Sequence, residues 1–149
     1  HTDGIEFEAA GRINSKLEVF GSLALQKGII DKAGDPSING SQNNEGKTSG
    51  LTPRLSGSIW ATYQINSQWR AGVGADGMSG RVPAAAESSA NRAPGYIKAD
   101  ALIEYEAQDY KVKLNLNNLF NKVYVDGVYR GFTVWGPTRG AQLSLAKTF

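Results

Sequence analysis

The residues best suited to chemistry lie in one stretch near the carboxyl terminus, DGVYRGFTVWGPTR. Tyr129, Phe132 and Trp135 offer flat aromatic surfaces, and Arg130 offers a guanidinium within the same seven residues. Aromatic rings stack on planar groups and attract cations, and a guanidinium forms charge-assisted hydrogen bonds with anionic oxygens. The set therefore predicts recognition of an anionic, planar ligand. An equal alternative is that Tyr129 and Phe132 pack this segment against itself.

Catalytic chemistry finds little support in the remaining residues. The chain has no cysteine, and its single histidine, His1, is the first residue, so neither a Ser-His-Asp triad nor a thiolate metal site can be assembled. Two carboxylate pairs, Glu6 with Glu8 and Asp100 with Glu104, resemble general acid/base pairs. Basic residues share their strand faces, however: Arg12, Arg54, Lys98, Lys111 and Lys113. We expect salt bridges there, no enzymatic activity, no bound metal and no cofactor.

A glycine motif and the overall charge exclude two further functions. Gly72, Gly74 and Gly77 match the G-x-G-x-x-G pattern of dinucleotide sites, but that pattern requires a helix that starts within it. The residues that follow, MSGRVPAAAE, have no apolar stripe and contain a proline, so we interpret the glycines as small residues on a strand face. The formal net charge of the 149 residues is only +2, with both signs interspersed. No nucleic-acid partner is expected.

Period-2 alternation of apolar and polar residues runs through most of the chain, which predicts antiparallel strands. Seven alternating segments begin at Gly4, Lys16, Pro53, Trp69, Gly95, Tyr110 and Thr138. Their connections alternate in length: residues 14–15, 65–68 and 106–109 are short, whereas residues 28–52, 80–94 and 121–137 are long and polar. Aromatic residues collect near the short connections and the terminus: Tyr63, Trp69, Tyr105, Tyr110 and Phe149. No run of 18 apolar residues is present.

This layout is typical of an outer-membrane β-barrel, which has strands of about ten residues, short turns on one side and long loops on the other. A soluble β-sandwich binding module also produces period-2 strands. Its core, about 10 Å thick, would require bulky side chains, whereas the apolar face here is about half Ala and Gly, which would leave holes. Lipid accepts small outward residues because nothing must interdigitate with them. The pattern therefore favours the membrane barrel.

Several motifs resemble those of TonB-dependent outer-membrane receptors. LNLNNLFNKVYV is similar to the family's penultimate strand, which ends in Asn-Leu-Phe-Asp/Asn-Lys, and WGPTRGAQLSLAKTF is similar to its closing segment. GIEFEAAGRI, TPRLSGSIWATYQI and RAPGYIKADALIEYE resemble further family strands, in the family's order. Within the family, the chain most resembles the ferric-siderophore branch.

The resemblance implies that residues 1–149 are about seven C-terminal strands of a 22-stranded plugged barrel in the bacterial outer membrane. It implies energy-coupled uptake of a ferric siderophore or similar metal chelate, with the chelate as transported ligand. The expected partners are outer-membrane lipid, lipopolysaccharide and, through a plug absent from this chain, the TonB energy-transducing complex. A passive porin or structural barrel is the alternative function.

In this setting, the long segment of residues 121–137 becomes an outer loop. Tyr129, Arg130, Phe132 and Trp135 are then candidate ligand-binding residues, although Trp135 alternatively belongs to the outer aromatic girdle. Arg81, in the preceding long loop, is a further candidate, and Arg92 lies in the same loop.

Overall fold

The computed structural model describes residues 1–32, 44–84 and 91–148, and within these residues the chain forms nine β-strands. They are β1 (Thr2–Arg12), β2 (Leu17–Gly28), β3 (Leu55–Gln64), β4 (Trp69–Met78), β5 (Tyr96–Glu106), β6 (Tyr110–Asn117), β7 (Val125–Val128), β8 (Thr133–Trp135) and β9 (Gly140–Lys147). In the described part of the chain, no helix has the length and apolar character needed to span a bilayer.

Seven of these strands form one antiparallel sheet in the order β1-β2-β3-β4-β5-β6-β9. These are the seven segments predicted from the alternation, and each strand pairs with its predecessor in the meander. Short turns connect β1 to β2, β3 to β4 and β5 to β6, and the long connections lie at the opposite end. We call the long connections the first loop (residues 29–54), the second loop (residues 79–95) and the third loop (residues 118–139).

One face of the sheet is apolar and uncovered. The register places apolar residues of neighbouring strands opposite each other, as in the pairs Phe7 with Leu23 and Leu114 with Leu143. Ile97 and Leu143 are 72% and 70% exposed. A sandwich would bury such side chains beneath a second sheet, and the described residues contain no sheet besides this one and the small β7–β8 pair. The uncovered face therefore counts against the soluble-sandwich alternative and is what the membrane barrel requires.

The opposite face carries salt bridges to Asp100 and Glu104, one of the two predicted carboxylate pairs, whereas among the described residues Arg12 pairs with Glu18 and no salt bridge involves Glu6 or Glu8. The carboxylate of Glu104, whose side chain is 5% exposed, lies 2.8 Å from Arg70 Nη2 and 3.2 Å from Lys111 Nζ. Lys98 Nζ lies 2.6 Å from Asp76 Oδ1 and 3.0 Å from Asp100 Oδ2. Buried carboxylates are stable as anions only when they are paired in this way. The interpretation of Asp100 and Glu104 as salt-bridge partners is confirmed.

Two glycines of the G-x-G-x-x-G motif lie beneath an aromatic ring on this polar face. A Cβ added to Gly74 would lie 2.2 Å from Cε3 of Trp60, and one added to Gly72 would lie 2.9 Å from its Cζ2. Only a residue without a side chain lets the indole lie across β4 this closely. The glycines are therefore small residues on a strand face, as predicted, and the motif continues as a strand through Met78.

Aromatic residues flank the short turns, also as predicted. The rings of Trp69 and Tyr105 are paired across β4 and β5 with centroids 4.9 Å apart. Lys147 Nζ lies 5.4 Å from the centroid of the Tyr110 ring, within cation–π range. The last aromatic of the predicted set, Phe149, lies outside the described residues. An aromatic belt at one edge is the arrangement expected of strands that cross a membrane interface.

Candidate functional site

The third loop begins at Asn118, whose side chain hydrogen-bonds to main-chain groups near both ends of the loop. Asn118 is 2% exposed. Its Nδ2 donates to the carbonyl oxygens of Lys122 (2.8 Å) and Pro137 (3.0 Å), and its Oδ1 accepts from the Lys122 amide (2.7 Å). Its own amide donates to Asp100 Oδ1 at 2.7 Å, which joins the loop to the ion-paired face of β5. One side chain thus satisfies main-chain groups from the start and the end of the loop.

A second asparagine of the Asn-Leu-Phe-Asn-Lys motif has a similar role. Asn118 and Asn121 both have positive φ angles, 51° and 52°, a conformation that asparagine tolerates better than most residues. Asn121 Oδ1 accepts from the amide of Arg139 at 2.9 Å, close to the start of β9. The motif therefore closes the loop: it turns the chain out of β6 and ties it to the segment that enters β9.

Asn118→Ala is expected to destabilise the folded barrel by about 1–3 kcal/mol, because it leaves part-buried main-chain groups of Lys122 and Pro137 without partners. Asn118→Gly also lacks the side chain but tolerates the positive φ, so the difference between the two variants measures backbone strain. The measurement is a denaturant refolding titration of the full receptor. Asn117→Ala, at an exposed neighbouring position, is the matched control. Equal stability of Asn118→Ala and Asn117→Ala would contradict the role of Asn118 in loop closure.

Tyr124 holds the third loop against the sheet. It is 7% exposed, and its ring centroid lies 4.4 Å from that of Tyr96 at the start of β5. A Cβ added to Gly136 would lie 2.1 Å from the Tyr124 ring, and the Gly136 amide donates to the Tyr124 carbonyl at 2.9 Å. Burial, with a contribution from the Asp126 carboxylate, raises the pKa of the Tyr124 phenol above its ordinary value. The phenol therefore stays neutral, and its ring packs between Tyr96 and Gly136.

Between these fastened ends, β7 and β8 form a hairpin that the sequence did not predict. Val125, Gly127 and Val128 pair with β8, with an irregularity between Val125 and Gly127. The Tyr129 amide donates to the Phe132 carbonyl at 2.9 Å, so Arg130 and Gly131 form the turn. Two short runs with β-branched residues, VDGV and TVW, on either side of an Arg-Gly pair were the available signal.

Three predicted ligand-binding residues, Tyr129, Arg130 and Phe132, lie at the tip of this hairpin, whereas Trp135 lies at its base, paired with Val125. The rings of Tyr129 and Phe132 are stacked, with centroids 4.6 Å apart and planes 18° apart. Arg130 lies in the turn between them. Tyr129, Phe132 and Trp135 are 51%, 61% and 63% exposed. The hairpin therefore presents large aromatic surfaces and a cation to the outside, although the Tyr129–Phe132 stack also fulfils the alternative of a segment that packs on itself.

Arg81, the fifth predicted site residue, lies apart from this surface. It is 8% exposed, and its Nη2 donates to the carbonyl oxygens of Val125 (3.4 Å) and Asp126. Its Nη1 lies 3.1 Å from Met78 Sδ. The guanidinium is thus directed at the hairpin main chain and is not presented at the outer surface as the sequence suggested. Arg92 is exposed and its Nη2 donates to the carbonyl of Gly80 in its own loop.

The chemistry available to this surface is non-covalent recognition. Among the residues that the structure describes, no group of three or more His, Asp or Glu side chains converges to hold a metal ion. Flat, exposed rings next to a guanidinium can instead stack on a planar ligand and pair with its negative charge. Sequence reasoning identified the tip residues, but it missed Asn118, Tyr124 and Asn91, whose Nδ2 donates to the Arg130 carbonyl at 3.1 Å. Their roles depend on contacts with residues distant in sequence: Asn118 with Pro137, Tyr124 with Tyr96 and Asn91 with Arg130.

Comparison with known proteins agrees with this architecture. Residues 1–119 match the family model "TonB dependent receptor-like, beta-barrel". The chain is 29% identical over 98% of its length to the probable TonB-dependent receptor BfrD of Bordetella pertussis, and 26% identical over its whole length to the ferrioxamine receptor of Yersinia enterocolitica. Among solved structures, the closed form of the ferric-catecholate import receptor Fiu of E. coli K12 superposes on 99% of the chain with a TM-score of 0.82 at 25% identity.

The chain spans about a fifth of the length of these relatives, 20% of BfrD and 21% of the ferrioxamine receptor and of Fiu. The resemblance seen in the sequence motifs is confirmed by a family match that covers most of the chain. The predicted β-barrel strands and the predicted outer-membrane location are confirmed with it. The family is one of receptors and transporters, not of enzymes. The chain belongs to the TonB-dependent receptor β-barrel family of the bacterial outer membrane.

Proposed function

We propose that this chain is part of an outer-membrane receptor that takes up a ferric siderophore or a similar metal chelate by energy-coupled transport. The observation that carries the proposal is the hairpin tip, where the stacked rings of Tyr129 and Phe132 flank Arg130 at the outer-loop end of the sheet. Ferric chelates are commonly anionic and have planar chelating groups, so they match a surface of exposed rings and a guanidinium.

The names of the relatives support the same ligand class. One is a ferrioxamine receptor and another is a ferric-catecholate import receptor. On this proposal, the uncovered apolar face contacts lipid and lipopolysaccharide, and the polar face lines the lumen. Coupling to the TonB complex would occur through a plug outside this chain. The chelate is cargo, and no resident cofactor is proposed.

Arg130→Ala in the full receptor is expected to weaken chelate binding by about 1.5–3 kcal/mol, the range for a hydrogen bond to a charged group. Trp135→Ala is expected to cost less if Trp135 serves only as a girdle residue. The measurement is equilibrium binding of two probes, ferrioxamine and a ferric tris-catecholate, at equal barrel content judged by heat-modified gel mobility. The two probes distinguish between a hydroxamate chelate, whose ferric core is neutral, and an anionic tris-catecholate chelate, for which the loss in Arg130→Ala is expected.

Arg139→Ala is the matched control, because it removes a guanidinium from the same loop. The main-chain bond of Arg139 to Asn121 does not require the Arg139 side chain. Unchanged affinity in both Arg130→Ala and Trp135→Ala would remove the hairpin from ligand recognition. A receptor that binds neither probe, yet passes small solutes without energy coupling, would favour the passive porin.

A further inference from the structure

The second loop is joined to the hairpin of the third loop by a buried arginine. Arg81 lies at the neck of the second loop, where its amide and carbonyl pair with the carbonyl and amide of Ala93 at 3.0 and 2.8 Å. From this fixed position, the guanidinium donates to two successive carbonyls of the hairpin, those of Val125 and Asp126. A guanidinium suits this task because its donors form a rigid planar array, whereas an ammonium is a point charge on a flexible stem.

Apolar packing at the same neck supports this contact. Ala93, Val125 and Val128 are 1%, 5% and 2% exposed and form a buried cluster. Ala93 belongs to the neck of the second loop, and the two valines belong to β7. The inward side of the hairpin is therefore packed on the neck, while its tip is exposed. Apolar packing is not directional, so by itself it would not fix the position of the hairpin on the neck. The hydrogen bonds of Arg81 are directional and do fix it.

A second polar contact lies nearer the tip. Asn91 Nδ2 donates to the carbonyl of Arg130 at 3.1 Å, in the turn between the stacked rings. The first loop contacts the second loop in turn, since the Leu51 amide donates to the Val82 carbonyl at 2.8 Å. A Cβ added to Gly50 would lie 2.6 Å from the Pro83 carbonyl oxygen. The described parts of the three loops therefore form one connected unit, with Arg81 at its centre.

We propose that Arg81 is a positioning residue that holds the β7–β8 hairpin in its binding geometry before the ligand arrives. It acts through the Val125 and Asp126 carbonyls and does not contact the ligand. The inference rests on the proposed function, because the geometry matters only if the tip captures a chelate. Holding the hairpin in advance lowers the conformational entropy lost on binding, and so increases affinity without any new ligand contact.

The test uses the full receptor with a spin label at Thr133→Cys, an exposed position in β8, and no other cysteine. The variants are Arg81→Ala, Arg81→Lys and, as matched control, Arg92→Ala, an exposed arginine of the same loop whose recorded side-chain bond stays within that loop. Label mobility in the ligand-free receptor reports the hairpin directly. The affinities for ferrioxamine and ferric tris-catecholate show whether a change in hairpin mobility changes ligand binding.

Arg81→Ala is expected to increase label mobility without ligand and to raise Kd about tenfold, as expected when buried carbonyls lose their donor. Arg81→Lys should behave like Arg81→Ala, and Arg92→Ala like wild type. In an Arg130→Ala background, Arg81→Ala should raise Kd less than in wild type, because coupled positions are not additive. A residue that contacts the ligand independently would raise Kd equally in both backgrounds.

Unchanged label mobility in Arg81→Ala would overturn the proposal, as would increased mobility with an unchanged Kd. Equal Kd increases in the wild-type and Arg130→Ala backgrounds would also overturn it, because Arg81 would then act independently of the hairpin tip. The wild-type receptor could bind neither probe while Arg81→Ala still increases label mobility. That result would contradict the proposed function but support the role of Arg81 in restraining the hairpin.

Discussion

Leu143→Arg is expected to destabilise the barrel by ~2–4 kcal/mol, the cost of a cationic side chain on the lipid face near the bilayer midplane. Leu143 lies in the middle of β9, 70% exposed on the apolar face, and pairs with Leu114 of β6. An arginine there must either lose its hydration or thin the bilayer around it. The measurement is a refolding titration of the full receptor into lipid vesicles.

Gln142→Arg is the control for this substitution. Gln142 is adjacent in sequence and pairs with Asn115, so its side chain belongs to the polar face. The same charge at nearly the same depth should cost little there. A slip of one residue in the β6–β9 register would exchange the two faces. Equal costs for the two substitutions would therefore show that the faces are assigned incorrectly.

Residues 1–149 expressed alone are expected not to form a monomeric folded domain in detergent-free buffer. In the described sheet, β1 pairs only with β2 and β9 pairs only with β6. Both outer strands thus have an open edge of unpaired amide and carbonyl groups, which promotes association with other chains. The apolar face also leaves large side chains exposed, among them Ile5 at 73% and Leu145 at 69%. Burial of that surface requires lipid or another chain.

The measurement is an amide NMR spectrum combined with sedimentation of the isolated chain. We expect collapsed resonances from an unfolded chain or broad signals from aggregates. The full receptor, refolded into detergent and assayed by heat-modified gel mobility, is the positive control for the same sequence in its barrel. A sharp, dispersed spectrum from a monomer in plain buffer would contradict the assignment of the apolar face to lipid.

Local pattern was enough to predict the sheet, for a physical reason. Successive side chains in a strand point to opposite faces of the sheet, so a strand with one apolar face has an apolar residue at every second position. Leu114 and Leu116, on either side of Asn115, show this pattern. The lengths of the connections then fixed the meander, because short turns can join only antiparallel neighbours. The salt bridges of Lys98 and Lys111 followed as well, since groups on adjacent strands of one face must meet.

The arrangement of the loops was decided by tertiary contacts that no local pattern records. Tyr129, Arg130 and Phe132 could be selected by residue type, but their stacking depends on a hairpin whose strands have only four and three residues. Arg81 was chosen for its charge, yet its guanidinium donates to the carbonyl of Val125, a residue 44 positions later in the sequence. In the same way, the Asn-Leu-Phe-Asn-Lys motif identified a family, while only the folded chain revealed that Asn118 reaches both Lys122 and Pro137. Strand alternation is a property of neighbours in sequence, whereas a loop takes its conformation from whichever distant groups satisfy its buried amides and carbonyls.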